Sequence, residues 1–214
     1  MIAYDLIGQT PLVLLESFSD ENVKIYAKLE QFNPGGSIKD RLGKYLIEKA
    51  IDEGRLKEGD TIVEATAGNT GIGLAIASNR HKVKCIIFAP EGFAEEKISI
   101  MKALGADVRR TPKVEGMTGA QQEALAYATR YGYLYMNQFE TKDNPGAYTQ
   151  TLAKQLTDEL SHIDYFVAGV GSGGTFTGVA QHLKTYDVKN YIVEPEGSVL
   201  NGGVLSLIHI SEPT

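Results

Sequence analysis

Apolar positions along this chain switch repeatedly between two periods, and the switching predicts the fold. In "DRLGKYLIEKAIDEG", Leu42, Leu46, Ile47, Ala50 and Ile51 recur at helical spacing, and Gly54 supplies a stop. "TIVEAT" reads as a short buried strand, followed by a glycine-rich turn and the apolar helix "TGIGLAIASNR". Strand "VKCIIFA", helix "AEEKISIMKALG", strand "DVRRT", helix "GAQQEALAYATRYG" and strand "YLYMNQF" come next. A second series runs through helix "PGAYTQTLAKQLTDEL", strand "DYFVAGV", helix "TFTGVAQHLKTY" and strand "NYIVEPE". Near-continuously apolar strands alternating with helices predict βαβ units on parallel sheets covered by helices on both faces. Ahead of them, "PLVLLES" and "VKIYAKLE" predict two extended strands. The expected class is α/β, with two βαβ lobes meeting near "NQFETKDNPGAY".

Composition narrows the picture. At 214 residues, 43% hydrophobic and 22% charged, the chain has the balance of an ordinary globular protein. A net charge of -6 with no basic run argues against a nucleic-acid partner. The start "MIAYDLIGQT" has no secretory pattern and no apolar run is long enough for a membrane span, so a cytoplasmic location is expected. The single cysteine, Cys85, fits a reducing compartment, and its apolar run "VKCIIFA" marks it as core packing. His81, His162, His182 and His209 are scattered without metal-ligand spacing, so surface or capping roles and no metal site are expected.

Ligands of such sheets bind at the carboxyl ends of the strands, which directs attention to three loops. In "NPGGSIKDR", Lys39 follows a Pro-Gly-Gly turn at the mouth of a helix. It can be a solvated charge beside Asp40 and Arg41, or a nucleophile held over a ligand. "GVGSGGTFTG" opens a helix with Gly169, Gly171, Ser172, Gly173, Gly174 and Thr175. Glycines let successive N–H groups converge, the helix start adds positive potential, and the hydroxyls add donors, which suits a phosphate. The plain alternative is a close strand–helix packing turn. "EATAGNTGIG" lacks a Lys-Ser or Lys-Thr ending, but Thr66, Asn69 and Thr70, with flexible backbone N–H groups between them, can hold a carboxylate or a ring oxygen.

Gly169 to Gly174 also match the dinucleotide pattern G-x-G-x-x-G, and Glu194 stands where a ribose-binding acid would. An NAD-binding oxidoreductase is therefore one reading. It leaves "NPGGSIKDR" and "EATAGNTG" without a role, and the fingerprint normally opens its fold rather than following several βα units. A lysine, a carboxylate-holding loop and a phosphate cradle together point to pyridoxal 5′-phosphate.

With these motifs the sequence resembles the fold type II pyridoxal-phosphate enzymes, a tryptophan synthase β-like fold, and among them the cysteine synthase and cystathionine β-synthase group. The likeness runs through "LIGQTPLV", "NPGGSIKDR", "EATAGNTGIGLA", "NQFE", "GVGSGGTFTG" and "VEPEGSVLNGG", to about Val204. It implies that Lys39 is the Schiff-base lysine and that Asn69 bonds the ring hydroxyl of the cofactor. It implies that Gly171, Ser172, Gly173, Gly174 and Thr175 hold the phosphate, and that Thr66, Ala67, Thr70 and Gln138 take the substrate carboxylate. The group usually has serine where Ala67 stands, so a side-chain donor is lost there. The implied reaction is a β-replacement in sulfur amino-acid biosynthesis: Lys39 removes the α-proton, acetate leaves, a thiolate adds to Cβ, and Lys39 returns the proton. "EATAGNTGIG" and "RTPKVEGMTGA" look most like the branch that uses O-acetylserine with homocysteine as well as sulfide. The implied partners are an amino-acid substrate and a thiol acceptor, with full-length relatives as homodimers. A relative that only binds a partner, without catalysis, is the remaining alternative.

By that resemblance, residues 35–140 form a small lobe, and 11–34 with 141–204 form an incomplete large pyridoxal-phosphate-binding lobe. No residue here answers to the group that would contact the pyridine nitrogen. The ending "LSLIHISEPT" is unlike the family and matches a reading frame of a transposase sequencing adapter codon for codon. Leu205 to Thr214 are therefore expected to be a translated adapter on a C-terminally shortened chain.

Overall fold

A computed structural model of the protein describes residues 2–197. Leu205 to Thr214, and the "SVLNGG" portion of the last family motif, lie outside the described residues. By backbone proximity the chain divides into Met1–Asn137 and Gln138–Thr214. The strands of residues 11–34, which the sequence reading joins to the second lobe, fall within the first of these units.

The first unit opens with an antiparallel pair, β1 (Leu12–Leu14) and β2 (Tyr26–Lys28), in which Val13 faces Ala27. A four-stranded parallel sheet follows, in the order β5-β4-β3-β6. Its strands are β3 (Thr61–Ala65), β4 (Lys84–Pro90), β5 (Asp107–Thr111) and β6 (Leu134–Tyr135). The helices between them are α2 (Asn69–Arg80), α3 (Glu95–Ala103) and α4 (Gly116–Tyr131), with α1 (Lys39–Asp52) ahead of β3. Every residue of β3 is buried, as expected for a central parallel strand covered on both faces. Val63, Ala65, Ile86 and Phe88 pack against Ala120, Ala124 and Ala128 of α4, whose small side chains let the helix lie close to the sheet. Alternation along the strands turns Ile62, Glu64, Cys85 and Ile87 to the other face, all buried.

The predicted seven-residue strand "YLYMNQF" shrinks to Leu134 and Tyr135. Met136 still donates to the Val63 carbonyl at 2.9 Å, but Asn137 turns into the left-handed region at φ 46° and takes the chain off the sheet.

In the second unit, β7 (Tyr165–Gly169) and β8 (Lys189–Val193) pair in parallel, joined through α7 (Gly174–Leu183). The predicted helix "PGAYTQTLAKQLTDEL" begins earlier and is not uniform. It comprises α5 (Asp143–Tyr148), a π-helical turn over Thr149–Ala153, and α6 (Lys154–Glu159). The Thr149 hydroxyl is shared between the Pro145 carbonyl at 3.1 Å and the Gly178 carbonyl of α7 at 2.8 Å, and the Thr151 hydroxyl donates back to Ala147 at 2.6 Å. Hydroxyls bonded to the preceding turn compete with the helix ladder, which is where the helix widens. This sheet also departs from the expectation of cover on both faces: Tyr165, Val167, Tyr191 and Val193 are exposed.

Candidate active site

Lys39 is the first residue of α1, and its backbone N–H donates to the Ser37 hydroxyl at 3.1 Å. Asn69 is the first residue of α2. The two helices cross where each carries a glycine one turn in. A Cβ on Gly43 would overlap the Gly73 backbone, and a Cβ on Gly73 would overlap the Lys39 carbonyl. Both helices thus begin within one turn of their crossing, which brings the ends bearing Lys39 and Asn69 together. Glycine is needed at both positions for that approach.

The turn before Lys39 is anchored from below. Arg41 is buried and forms a two-point ion pair with Glu30, Nε to Oε2 at 2.7 Å and Nη2 to Oε1 at 2.9 Å. Nη2 also donates to the Gly8 carbonyl at 3.0 Å and the Thr10 hydroxyl at 3.1 Å. Asn33 completes the frame, donating to Glu30 at 2.9 Å and accepting from Gly8 N–H at 2.7 Å. Burial pushes the Glu30 carboxyl up, but the Arg41 hydrogen bond and charge, with Thr10 and Asn33, hold it below its ordinary value. Asp40 is fully buried; one oxygen accepts from Gly35 N–H, and the other, Oδ1, has no hydrogen-bond partner among the described residues. Burial raises its carboxyl to about 6, against the Gly35 hydrogen bond and with the Glu30 charge adding to the rise. "NPGGS" is therefore a turn strapped to its own helix by Asp40 and to the N-terminal segment by Arg41, Glu30 and Asn33.

After β3, Thr66 N–H still donates to the Phe88 carbonyl at 2.9 Å, and its hydroxyl accepts from Gly68 N–H at 3.2 Å. Thr66, Ala67 and Thr70 are buried and Asn69 is half-buried. No side chain caps the start of α2, and a Cβ on Gly68 would meet nothing within 4 Å.

The other candidate residues belong to the second unit. Gln138 is buried. The loop after β7 leads into α7 through Gly173, which is left-handed at φ 83° and caps the helix with no side chain. A Cβ on Gly171 would meet nothing within 4 Å, whereas one on Gly174 would overlap the Asn144 amide. Asn144 has no place among the residues read from the sequence. It is buried in the first turn of α5, and its Nδ2 donates to the Gln138 carbonyl at 2.7 Å and to Ser172 Oγ at 3.1 Å. Its partners lie 6 and 28 residues away, so no local pattern marks it.

The histidines take ordinary places: His81 beside Tyr4 and Glu48, His182 beside Thr157, His162 against Asp164 at the surface. His209 lies outside the described residues. Cys85 is buried, and burial pushes its thiol up to about 12. Among the described residues, no helix is long and apolar enough to cross a membrane.

Each unit separately carries donors of a kind that a phosphate-bearing cofactor takes. The uncapped start of α7, the open space at Gly171 and the hydroxyls of Ser172 and Thr175 suit an anion, and an amine and an amide share the α1–α2 end. The fold is that of a parallel α/β protein with a lysine at the start of α1 and a glycine-rich loop ahead of α7. The chain belongs to the pyridoxal-phosphate dependent enzymes, whose family model matches residues 3–207. It is 51% identical over 204 residues to the O-acetylserine dependent cystathionine beta-synthase of Bacillus subtilis, covering 93% of this chain and 66% of that protein. It is 48% identical over 210 residues to a cysteine synthase of Helicobacter pylori, covering 93% of this chain and 67% of that one. The solved O-acetylserine dependent cystathionine beta-synthase from Helicobacter pylori superposes with a TM-score of 0.88 at 46% identity, over 95% of this chain and 70% of that one. An O-ureido-L-serine synthase superposes at 0.89 with 33% identity, over 95% and 66%. The chain thus spans about two thirds of the length of these relatives. Its α/β fold is that of the fold type II pyridoxal-phosphate enzymes, and the family match decides for pyridoxal phosphate over NAD as the cofactor.

Proposed function

We propose that this chain carries the cofactor and substrate machinery of a β-replacement enzyme that acts on O-acetylserine with a thiol acceptor, either sulfide or homocysteine. Pyridoxal phosphate, when bound, supplies an electron-withdrawing ring that takes up the charge left at the substrate α-carbon. The chain's own residues do the rest. Gly171 to Thr175 bind the phosphate through backbone N–H groups and the Ser172 and Thr175 hydroxyls. Asn69 donates to the ring hydroxyl and fixes the ring's orientation. Thr66, Thr70, Gln138 and the backbone N–H of Ala67 hold the α-carboxylate, so that the α-hydrogen is presented to Lys39. Lys39 Nζ takes that proton; the Cβ–O bond breaks and acetate departs with its electron pair. The thiolate then forms the Cβ–S bond, and Lys39 Nζ returns the proton to the α-carbon. No protein thiol enters, consistent with a buried, high-pKa Cys85. Within this reading the full-length protein works as a homodimer in the cytoplasm.

The observation that carries the proposal is the Gly43–Gly73 crossing, which places a lysine and an amide donor at one end of two packed helices. The test is absorption spectroscopy with added pyridoxal phosphate, then O-acetylserine. A visible band that shifts on adding substrate is expected, and Lys39→Ala should lose both the band and turnover. Arginine should not restore them, because guanidinium stays protonated. Normal turnover by Lys39→Ala would refute the assignment, and NAD binding without a visible band would favour the dinucleotide reading.

A further inference from the structure

We propose that Asn144 is a positioning residue that couples the phosphate loop to Gln138, one of the residues assigned to the substrate carboxylate. One side-chain amide holds both: Nδ2 donates to the Gln138 carbonyl at 2.7 Å and to Ser172 Oγ at 3.1 Å. Its carbonyl edge stands against Gly174, where a Cβ would overlap the amide, and Oδ1 is buried with no hydrogen-bond partner among the described residues. Leaving a buried polar atom unpaired is unfavourable, so the side chain is held there by its two donated bonds and by packing.

The direction of the Ser172 bond matters chemically. Because Ser172 Oγ accepts from Asn144, its own hydrogen is directed away from the amide. Donation by an amide also polarises the hydroxyl and strengthens it as a donor to an anion. An aspartate of the same shape would offer only acceptors, and would set negative charge beside a loop built for phosphate. The Gln138 bond fixes the main chain next to the side chain assigned to the substrate carboxylate. Phosphate binding and carboxylate binding thus share one brace.

This inference rests on the cofactor reading above, and the experiment separates the two. Pyridoxal phosphate and pyridoxal, which lacks the phosphate, are titrated by absorbance into the chain and into its Asn144→Ala, Asn144→Asp and Ser172→Ala variants, with circular dichroism to confirm folding. The ratio of the two affinities is expected to fall about tenfold in Asn144→Ala, the scale of one hydrogen bond to a charged group. It should fall at least as far in Asn144→Asp, which keeps the packing against Gly174 and so tests the brace even if the alanine variant does not fold. The Asn144→Ala/Ser172→Ala double variant should lose little more than either single one. A general loss of structure would weaken both ligands alike and leave the ratio unmoved, which would overturn the proposal. Losses that multiply in the double variant would also overturn it. Failure of the unaltered chain to bind either ligand would sink the cofactor reading, and the brace with it.

Discussion

Each unit contains a strand that runs into a glycine-rich loop and a helix that starts from it, β3 to α2 in the first and β7 to α7 in the second. Neither helix start has a side-chain cap. What lies beneath the loops differs. β3 is buried at every position, α2 is locked on α1 through the Gly43–Gly73 backbone contact, and the turn before Lys39 is strapped by a buried ion pair. β7 is exposed at alternate positions, and its loop leans on the side chain of Asn144. Backbone packed on backbone leaves no rotamer through which a clash could be relieved, whereas an amide side chain can swing away. The first loop is therefore held by the core, and the second by hydrogen bonds.

Gly73→Ala should break the first loop most severely. Its methyl meets the Lys39 carbonyl, so the helices must separate, at a cost of about 3 kcal/mol or more. Thermal unfolding should show the loss, and the cofactor band should go with it. A mild effect would mean that the crossing does not hold the lysine end.

Asp40 sharpens the contrast through pH. Burial raises its carboxyl from 3.8 to about 6, so the folded state prefers it protonated. Its contribution to stability is full below the ordinary value and is lost as pH rises through about 6. Asp40→Asn, neutral throughout, should gain on the parent above that pH by on the order of 1–3 kcal/mol. Glu30 runs the other way: its folded value is lowered, so its contribution is present above the ordinary 4.5 and is lost as pH falls through the lowered value. Acid should thus still weaken Asp40→Asn. Parallel stability curves for parent and variant between pH 4 and 8 would refute the role given to Asp40.

Gly174→Ala should act on the second loop more gently. The methyl displaces the Asn144 amide rather than backbone, so a stability loss of about 1 kcal/mol is expected, with the pyridoxal phosphate preference reduced. Destabilisation as large as that of Gly73→Ala would erase the distinction between the loops.

The smallest effect belongs to Cys85 on β4. Buried and with its thiol pushed up to about 12, it should resist iodoacetamide in the folded chain while the cofactor band persists. Rapid alkylation with loss of the band would show that the core under the first loop opens readily.

Much of this was legible along the chain. The helix of "DRLGKYLIEKAIDEG" forms on the buried stripe of Leu42, Leu46, Ile47 and Ala50, whose single period marks it, and ends at Asp52, two residues before the predicted stop at Gly54. β7 and α7 fall where the apolar run Tyr165 to Ala168 gives way to glycines. The failures share a cause. "YLYMNQF" looks like seven residues of strand, but a left-handed Asn137 takes the chain off the sheet after Met136. "PGAYTQTLAKQLTDEL" looks like one regular helix, but the Thr149 hydroxyl reaches Gly178, 29 residues away, and the helix widens there.

Periodicity and turn chemistry are local, acting over a few residues, and for that reason the sequence alone determined the element order, the parallel α/β class, and the loops that carry Lys39, Asn69 and Gly171 to Thr175. The partners of a buried polar group are set by which elements meet. That Gly43 must face Gly73, that Arg41 closes on Glu30, Gly8 and Thr10, and that Asn144 spans Gln138 and Ser172 was decided only in three dimensions. Each of these contacts joins segments whose own residues carry no mark of the other, and a buried donor takes whichever acceptor the packing brings within reach.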